Sequence, residues 1–110
     1  MHVDLQGEKN AKFNLNIFRI VQEQLNNIIK HAKASAVRIG YSKNEVAIIL
    51  TISDDGSGFD TTKKNTGIGI INIKSRAKFF KGSADFLSKP GKGCTLTVTF
   101  PVSSYLDKNS

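Results

Sequence analysis

The chain has 110 residues, 39% apolar and 23% charged, with a formal charge of +7 and one cysteine, Cys94. This is the length and balance of one globular domain with a real core and a modest stability reserve. An internal disulfide is excluded, a reducing compartment, most simply the cytosol, is expected, and no apolar run reaches the roughly 18 residues of a membrane-crossing helix.

The opening "MHVDLQGEKN" is polar and does not read as a secretory signal. A strand-like pattern, "HVDLQ" at residues 2–6, begins almost at once, so we expect a domain cut from a longer protein, with this segment as a short edge strand. "GEKNAK" then reads as a turn. Over residues 15–33 the period becomes helical, with Ile17, Val21, Leu25, Ile28 and Ala32 recurring at steps of four, four, three and four. Asn14 or Asn16 suits the N-cap. "AVRIGYSK" (36–43) alternates like a half-buried strand, and "EVAIILTISD" (45–54) is almost continuously apolar, like a central one. The two are expected to pair as a hairpin.

Residues 55–67, "DGSGFDTTKKNTG", carry three glycines and no apolar periodicity, and read as a mobile loop. A second helix is expected over 68–80, with Ile70, Ile73, Ala77 and Phe80 inward and Gly82 as its C-cap. "SADFLSK" and "CTLTVTFPV" read as strands around the turn "KPGKG", and the polar tail "SSYLDKNS" as frayed. The order β, α, β, β, loop, α, β, β implies an α+β fold: a two-layer sandwich of a mixed, mostly antiparallel sheet with helices on one face.

A basic total attracts phosphate-rich partners. The lysines are scattered, however; only Lys63 and Lys64 are adjacent, and no aromatic residues interleave with the charges as in a stacking platform. Direct nucleic-acid binding is therefore not expected, although a basic, non-catalytic nucleic-acid module is kept as an alternative with its own signature, salt-sensitive DNA binding.

Four features carry chemistry. On the first helix, at about 100° per residue, Glu23, Asn27, Lys30 and His31 share one quadrant opposite the apolar stripe. Any surface helix has a polar face, yet two successive asparagines are a poor choice for a merely solvated one, and oxygen ligands are what Mg²⁺ selects. "DDGSG" (54–58) puts a carboxylate at a strand end beside glycines; a plain turn has the same composition. "TGIGIINIKSR" (66–76) places two glycines before a helix, where free amides bind phosphate. It is not a dinucleotide fingerprint, because no third glycine follows and no βαβ unit surrounds it. "KPGKGCT" is not a P-loop, because Phe86 stands where the first glycine belongs and a strand follows.

Together these features resemble the ATP-binding catalytic domain of sensor histidine kinases, in the ATPase superfamily shared with gyrase, Hsp90 and MutL. "FRIVQEQLNNIIKHAKA" is similar to that family's N box, "DDGSGF" to its G1 box, "TGIGIINIKSR" to its G2 box and "PGKGCTLTVTFP" to its last glycine box and strand. The likeness runs from about residue 3 to 102, which makes residues 1–102 the ATPase domain and 103–110 a polar tail. The wording "QExLNNxxKHA" and the short lid most resemble the group of kinases that partner response regulators with helix-turn-helix output domains. The resemblance implies a Bergerat-type fold with ATP and Mg²⁺ as cofactors. Asn27 would hold the metal, Glu23 would hold its water or polarise the attacking group, and Lys30 and His31 would approach the phosphates. Asp54 would accept the adenine amine, with Gly56 and Gly58 beside the base. Gly67 and Gly69 would hinge the lid, which carries Lys63 and Lys64. Where the family often has threonine after the last glycine, Cys94 stands here, with Thr95 next as the expected adenine contact. The γ-phosphoryl group would pass to a histidine on a separate dimerisation domain, so this chain alone is expected to be a monomer that does not autophosphorylate. An anti-sigma-factor serine kinase of the same superfamily is the second enzymatic alternative.

Overall fold

The computed structural model describes residues 8–58 and 67–103. Its elements are helix α1 (Glu8–Asn27), continued by a π-helical turn (Ile28–Ala32), strands β1 (Val37–Lys43) and β2 (Ala47–Asp54), helix α2 (Gly67–Phe79), and strands β3 (Ser83–Ser88) and β4 (Cys94–Pro101). The strands form one sheet of order β1-β2-β4-β3, antiparallel throughout. The expected fold class, both hairpins and the central place of the second strand are all present. The proposed strand at 2–6, residues 59–66 of the loop and all of the tail beyond 103 lie outside the described residues.

The register explains the core. Directly paired residues share a face, and three apolar rows cross the sheet on one side: Ile39–Ile52–Leu96–Phe86, Tyr41–Leu50–Val98–Ala84, and Ile48 beside Phe100. Ile48, Leu50, Ile52, Leu96, Val98 and Phe100 are wholly buried, because strand period two sends every second side chain to the same side. The helices cover that side with Phe13, Ile17, Ile20 and Val21 from α1, Ile28 from the π turn, and Ile73, Ala77 and Phe80 from α2 and its end. At one end Phe13 joins the layers, edge-on to Phe80 at 5.4 Å and to Phe100 at 5.0 Å, a geometry that aromatic quadrupoles favour.

Three local expectations need correction. The turn at "GEKNAK" is helical from Glu8, since Glu, Lys and Ala are good helix formers and Phe13 anchors this turn in the core. Consequently Asn14 and Asn16 are not caps but buried mid-helix residues; the Asn16 amide donates to the Arg76 carbonyl at 2.8 Å and ties α1 to α2. At the end of α2 the left-handed position is Lys81 (φ 63°) rather than Gly82. Gly82 is needed for space instead, because a Cβ there would stand 2.5 Å from the Thr99 carbonyl oxygen and 2.6 Å from the Phe100 ring.

Candidate nucleotide site

The fourth row of the sheet breaks the apolar pattern. It runs Val37–Asp54–Cys94–Ser88, on the same face as the core rows and at the end away from the aromatic trio. Asp54 closes β2, and one carboxylate oxygen, Oδ1, accepts the Gly56 N–H at 2.8 Å. The other, Oδ2, is buried without a hydrogen-bond partner. A buried acceptor left in this state costs about 1–3 kcal/mol, so an outside donor of matching size would relieve a standing penalty.

The loop holding Asp54 is clasped by the β3–β4 turn. Ser88 Oγ donates to the Gly93 carbonyl at 2.7 Å, and the Gly91 N–H donates to the Ser57 carbonyl. Gly58 (φ 65°) and Gly93 (φ 76°) both lie in the left-handed region. A Cβ on Gly58 would meet the Gly93 carbonyl at 2.7 Å, and one on Gly93 would run into the backbone of Asp54. Two glycine loops thus lie backbone to backbone, which only glycine permits. Cys94 is buried beside them, and desolvation, then the neighbouring Asp54 charge, pushes its thiol up to about 11. It is a neutral thiol at pH 7.

α1 supplies the opposite wall. Asn27 is its last α-helical residue, just before the π turn, and widened turns of this kind are frequent at functional sites. Lys30, exposed, and His31 lie in that turn, so the straight-helix phase that grouped them with Asn27 does not hold there. The Asn27 side chain abuts α2: a Cβ on Gly69 would come within 2.5 Å of its Oδ1 and 3.1 Å of its Nδ2. Glu23, half-buried, accepts from Asn72 Nδ2 at 3.3 Å. Glu23, Asn27 and the first turn of α2, Gly67 and Gly69 included, therefore converge.

Thr95 does not join them. Strand alternation puts Cys94 on the face of Asp54 and Thr95 on the other, paired with Ser53 and Leu87. Lys63 and Lys64 lie outside the described residues. Three participants were missed: Cys94 as a member of the row, Asn72 as the partner of Glu23, and Gln24, buried at 3% exposure, which accepts from Asn27 Nδ2 at 3.3 Å.

Among the described residues no three of His, Cys, Asp and Glu cluster to hold a metal. A single amide oxygen beside helix-terminal amides does suit Mg²⁺ carried in on phosphates, since this ion keeps waters and takes few protein ligands.

The family model for histidine kinase-, DNA gyrase B- and HSP90-like ATPases matches residues 14–104, and the chain belongs to that family. The chain is 37% identical over 89 residues to the histidine-protein kinase/phosphatase DegS of Brevibacillus brevis, a match covering 80% of this chain and 23% of that protein. To DegS of Bacillus subtilis it is 30% identical over 96 residues, covering 84% and 25%. It thus spans about a quarter of the length of these curated relatives. Among solved structures, the histidine kinase domain of the Erythrobacter litoralis blue-light activated kinase EL346 superposes with a TM-score of 0.75 at 20% identity, over 90% of this chain and 48% of that one. The ATP-binding domain of PrrB from Mycobacterium tuberculosis gives 0.69 at 21%, over 80% and 68%.

Proposed function

We propose that this domain binds Mg·ATP at the polar end of its sheet and presents the γ-phosphoryl group to a histidine on a separate dimerisation domain of its parent kinase. The observation that carries this reading is the unpaired, buried Asp54 Oδ2, an acceptor in want of an N–H, at the end of the sheet where Gly58 and Gly93 bring backbone close and the Gly56 N–H holds Oδ1. An adenine amino group is such a donor. Asn27 Oδ1 would hold Mg²⁺, and the first turn of α2, opening with Gly67 and Gly69, would offer amides to the phosphates. Phosphoryl transfer asks mostly for positioning and charge compensation, which Mg²⁺ supplies when bound. Glu23, engaged by Asn72, would orient rather than abstract a proton, and Lys30 in the π turn would add positive charge. Cys94 keeps Asp54 company as a neutral, compact group.

The named kinase relatives support phosphoryl transfer to histidine over transfer to serine. By the same reasoning the parent protein passes its phosphoryl group to a response regulator, and the "QExLNNxxKHA" wording with the short sequence between Gly58 and Gly67 supports one with a helix-turn-helix output domain. A cytoplasmic location agrees with ATP use.

The test is titration with a fluorescent ATP analogue, with and without Mg²⁺. Asp54→Ala is expected to abolish binding under both conditions, whereas Asn27→Ala keeps the metal-free binding and loses the Mg²⁺ enhancement. Wild-type behaviour in both variants would remove the site.

A further inference from the structure

Gln24 is 3% exposed, although glutamine is among the residues mostly found at the surface. Ile20, Gln24 and Ile28 follow one another at helical steps of four, and both isoleucines are in the core. The glutamine therefore occupies a core position on α1, under Asn27 and over the polar row of the sheet. A buried amide is tolerated only when hydrogen-bonded. Its oxygen accepts from Asn27 Nδ2 at 3.3 Å, and its side chain is near enough to the Cys94 thiol to offset part of the upward pressure on it. Cys94 in turn pairs in register with Asp54. Asp54, Cys94, Gln24 and Asn27 are thus polar neighbours in succession, with the Gln24–Asn27 hydrogen bond as the link next to α2.

This link fixes something the Asn27 side chain cannot fix alone. An amide presents oxygen on one side and NH₂ on the other, and only the oxygen ligates Mg²⁺. We propose that Gln24 is a positioning residue that sets the rotational state of the Asn27 amide. With its acceptor oxygen below, Asn27 turns NH₂ downward and Oδ1 toward the first turn of α2, where Oδ1 is the atom nearest Gly69. The reversed amide would set two oxygens against each other and point two donors at the metal. Partners one shell out from a metal typically change its affinity by about 10–100-fold. The proposal rests on Asn27 being the Mg²⁺ ligand.

Two variants of the 110-residue chain separate positioning from packing. Gln24→Met conserves volume but offers no acceptor, and volume-conserving apolar swaps are mild for stability. Gln24→Glu keeps an acceptor beneath Asn27 but buries a charge. Packing alone therefore ranks Met as harmless and Glu as harmful; positioning ranks them the other way for Mg²⁺. We expect Gln24→Met to raise the Mg²⁺ needed for half-maximal enhancement of nucleotide binding about tenfold. Metal-free nucleotide affinity should stay within about twofold, as expected of a residue that acts only through the metal ligand. Gln24→Glu should need no more Mg²⁺ than wild type. In the metal-free, nucleotide-free chain, the Asn27 side-chain NH₂ protons should exchange slowly with solvent by ¹⁵N NMR, and faster in Gln24→Met, where the acceptor is gone. An unchanged Mg²⁺ midpoint in Gln24→Met, with Asn27→Ala run alongside and losing the enhancement, would overturn the positioning role and leave the site intact. An unchanged Asn27→Ala would overturn the site itself.

Discussion

The two ends of the sheet are made by the same strands in the same register, yet they are finished in opposite ways. At one end Ile48 and Phe100 close against Phe13 and Phe80, with no polar side chain among them. At the other, Asp54, Cys94 and Ser88 stand in a row, Gln24 and Asn27 lie above, and one carboxylate oxygen has no partner. Among the described residues, no buried side-chain nitrogen or oxygen at the first end lacks a partner. The second retains an unsatisfied acceptor in a fold of this size, whose total stability is only about 5–15 kcal/mol. Unspent hydrogen-bonding capacity at one end, with none among the described residues of the other, is what supports the proposal that the nucleotide binds there.

The comparison breaks most sharply at the apolar end. Phe100→Ala is expected to cost about 3–5 kcal/mol, because the ring is wholly buried and shared by both layers. In a domain this small that corresponds to a fall in Tm of at least about 10 °C, read by thermal unfolding. Nucleotide affinity measured well below the new midpoint should change little. Asp54→Asn is the converse. The amide oxygen can still accept from Gly56 N–H, and the unpaired acceptor is replaced by a donor facing the pocket. Stability should move by less than about 1 kcal/mol, while nucleotide affinity falls by about 1.5–3 kcal/mol, the worth of a hydrogen bond to a charged group, or roughly 10–150-fold. Equal losses of stability and binding in both variants would mean that the two ends do not differ in kind.

Much of this division was readable in the chain. The β-branched alternation of β2 and β4 set the sheet, and Asp-x-Gly-x-Gly at a strand end marked the acceptor. The same alternation argued against Thr95: Cys94, Leu96, Val98 and Phe100 are the apolar members of β4, so Thr95 had to face away. Gln24 was equally visible, as a polar residue at the helical spacing of a buried stripe. The start of α1 was hidden because Asn14 and Asn16 separate Phe13 from the rest of that stripe and mimic caps; both are buried, Asn16 against α2, whose Arg76 lies 60 residues on. The Glu23–Asn72 contact joins two helices 49 positions apart, and no local pattern encodes it. The π turn, too, came only from the fold, since Ile28–Ala32 is compatible with an unbroken α-helix.

The smallest effects concern pH, and they fall at opposite limits. Cys94 has its thiol pushed from an ordinary 9.0 up to about 11 by burial and then by Asp54. The folded chain keeps that proton while the unfolded chain releases it, so the contribution is complete below about pH 9 and is lost as pH rises to about 11. Cys94→Ala should flatten that alkaline decline relative to wild type in denaturant titrations. Asp55 works the other way. Its carboxylate accepts the Ala36 and Ser35 N–H groups at 3.0 and 2.8 Å, and these bonds hold it below its ordinary 3.8. Its contribution is complete above that value and is lost as pH falls through the lowered one. The group is exposed, so the effect is small, and Asp55→Ala should shift the acid-unfolding midpoint only slightly upward. The two variants should also differ in reach. The Asp55 bonds join the loop after α1 to the end of β2 outside the polar row, so Asp55→Ala should leave nucleotide affinity near wild type. Cys94→Ala empties a position within the row and removes a polar neighbour of Gln24, and should weaken the Mg²⁺ enhancement in the same direction as Gln24→Met.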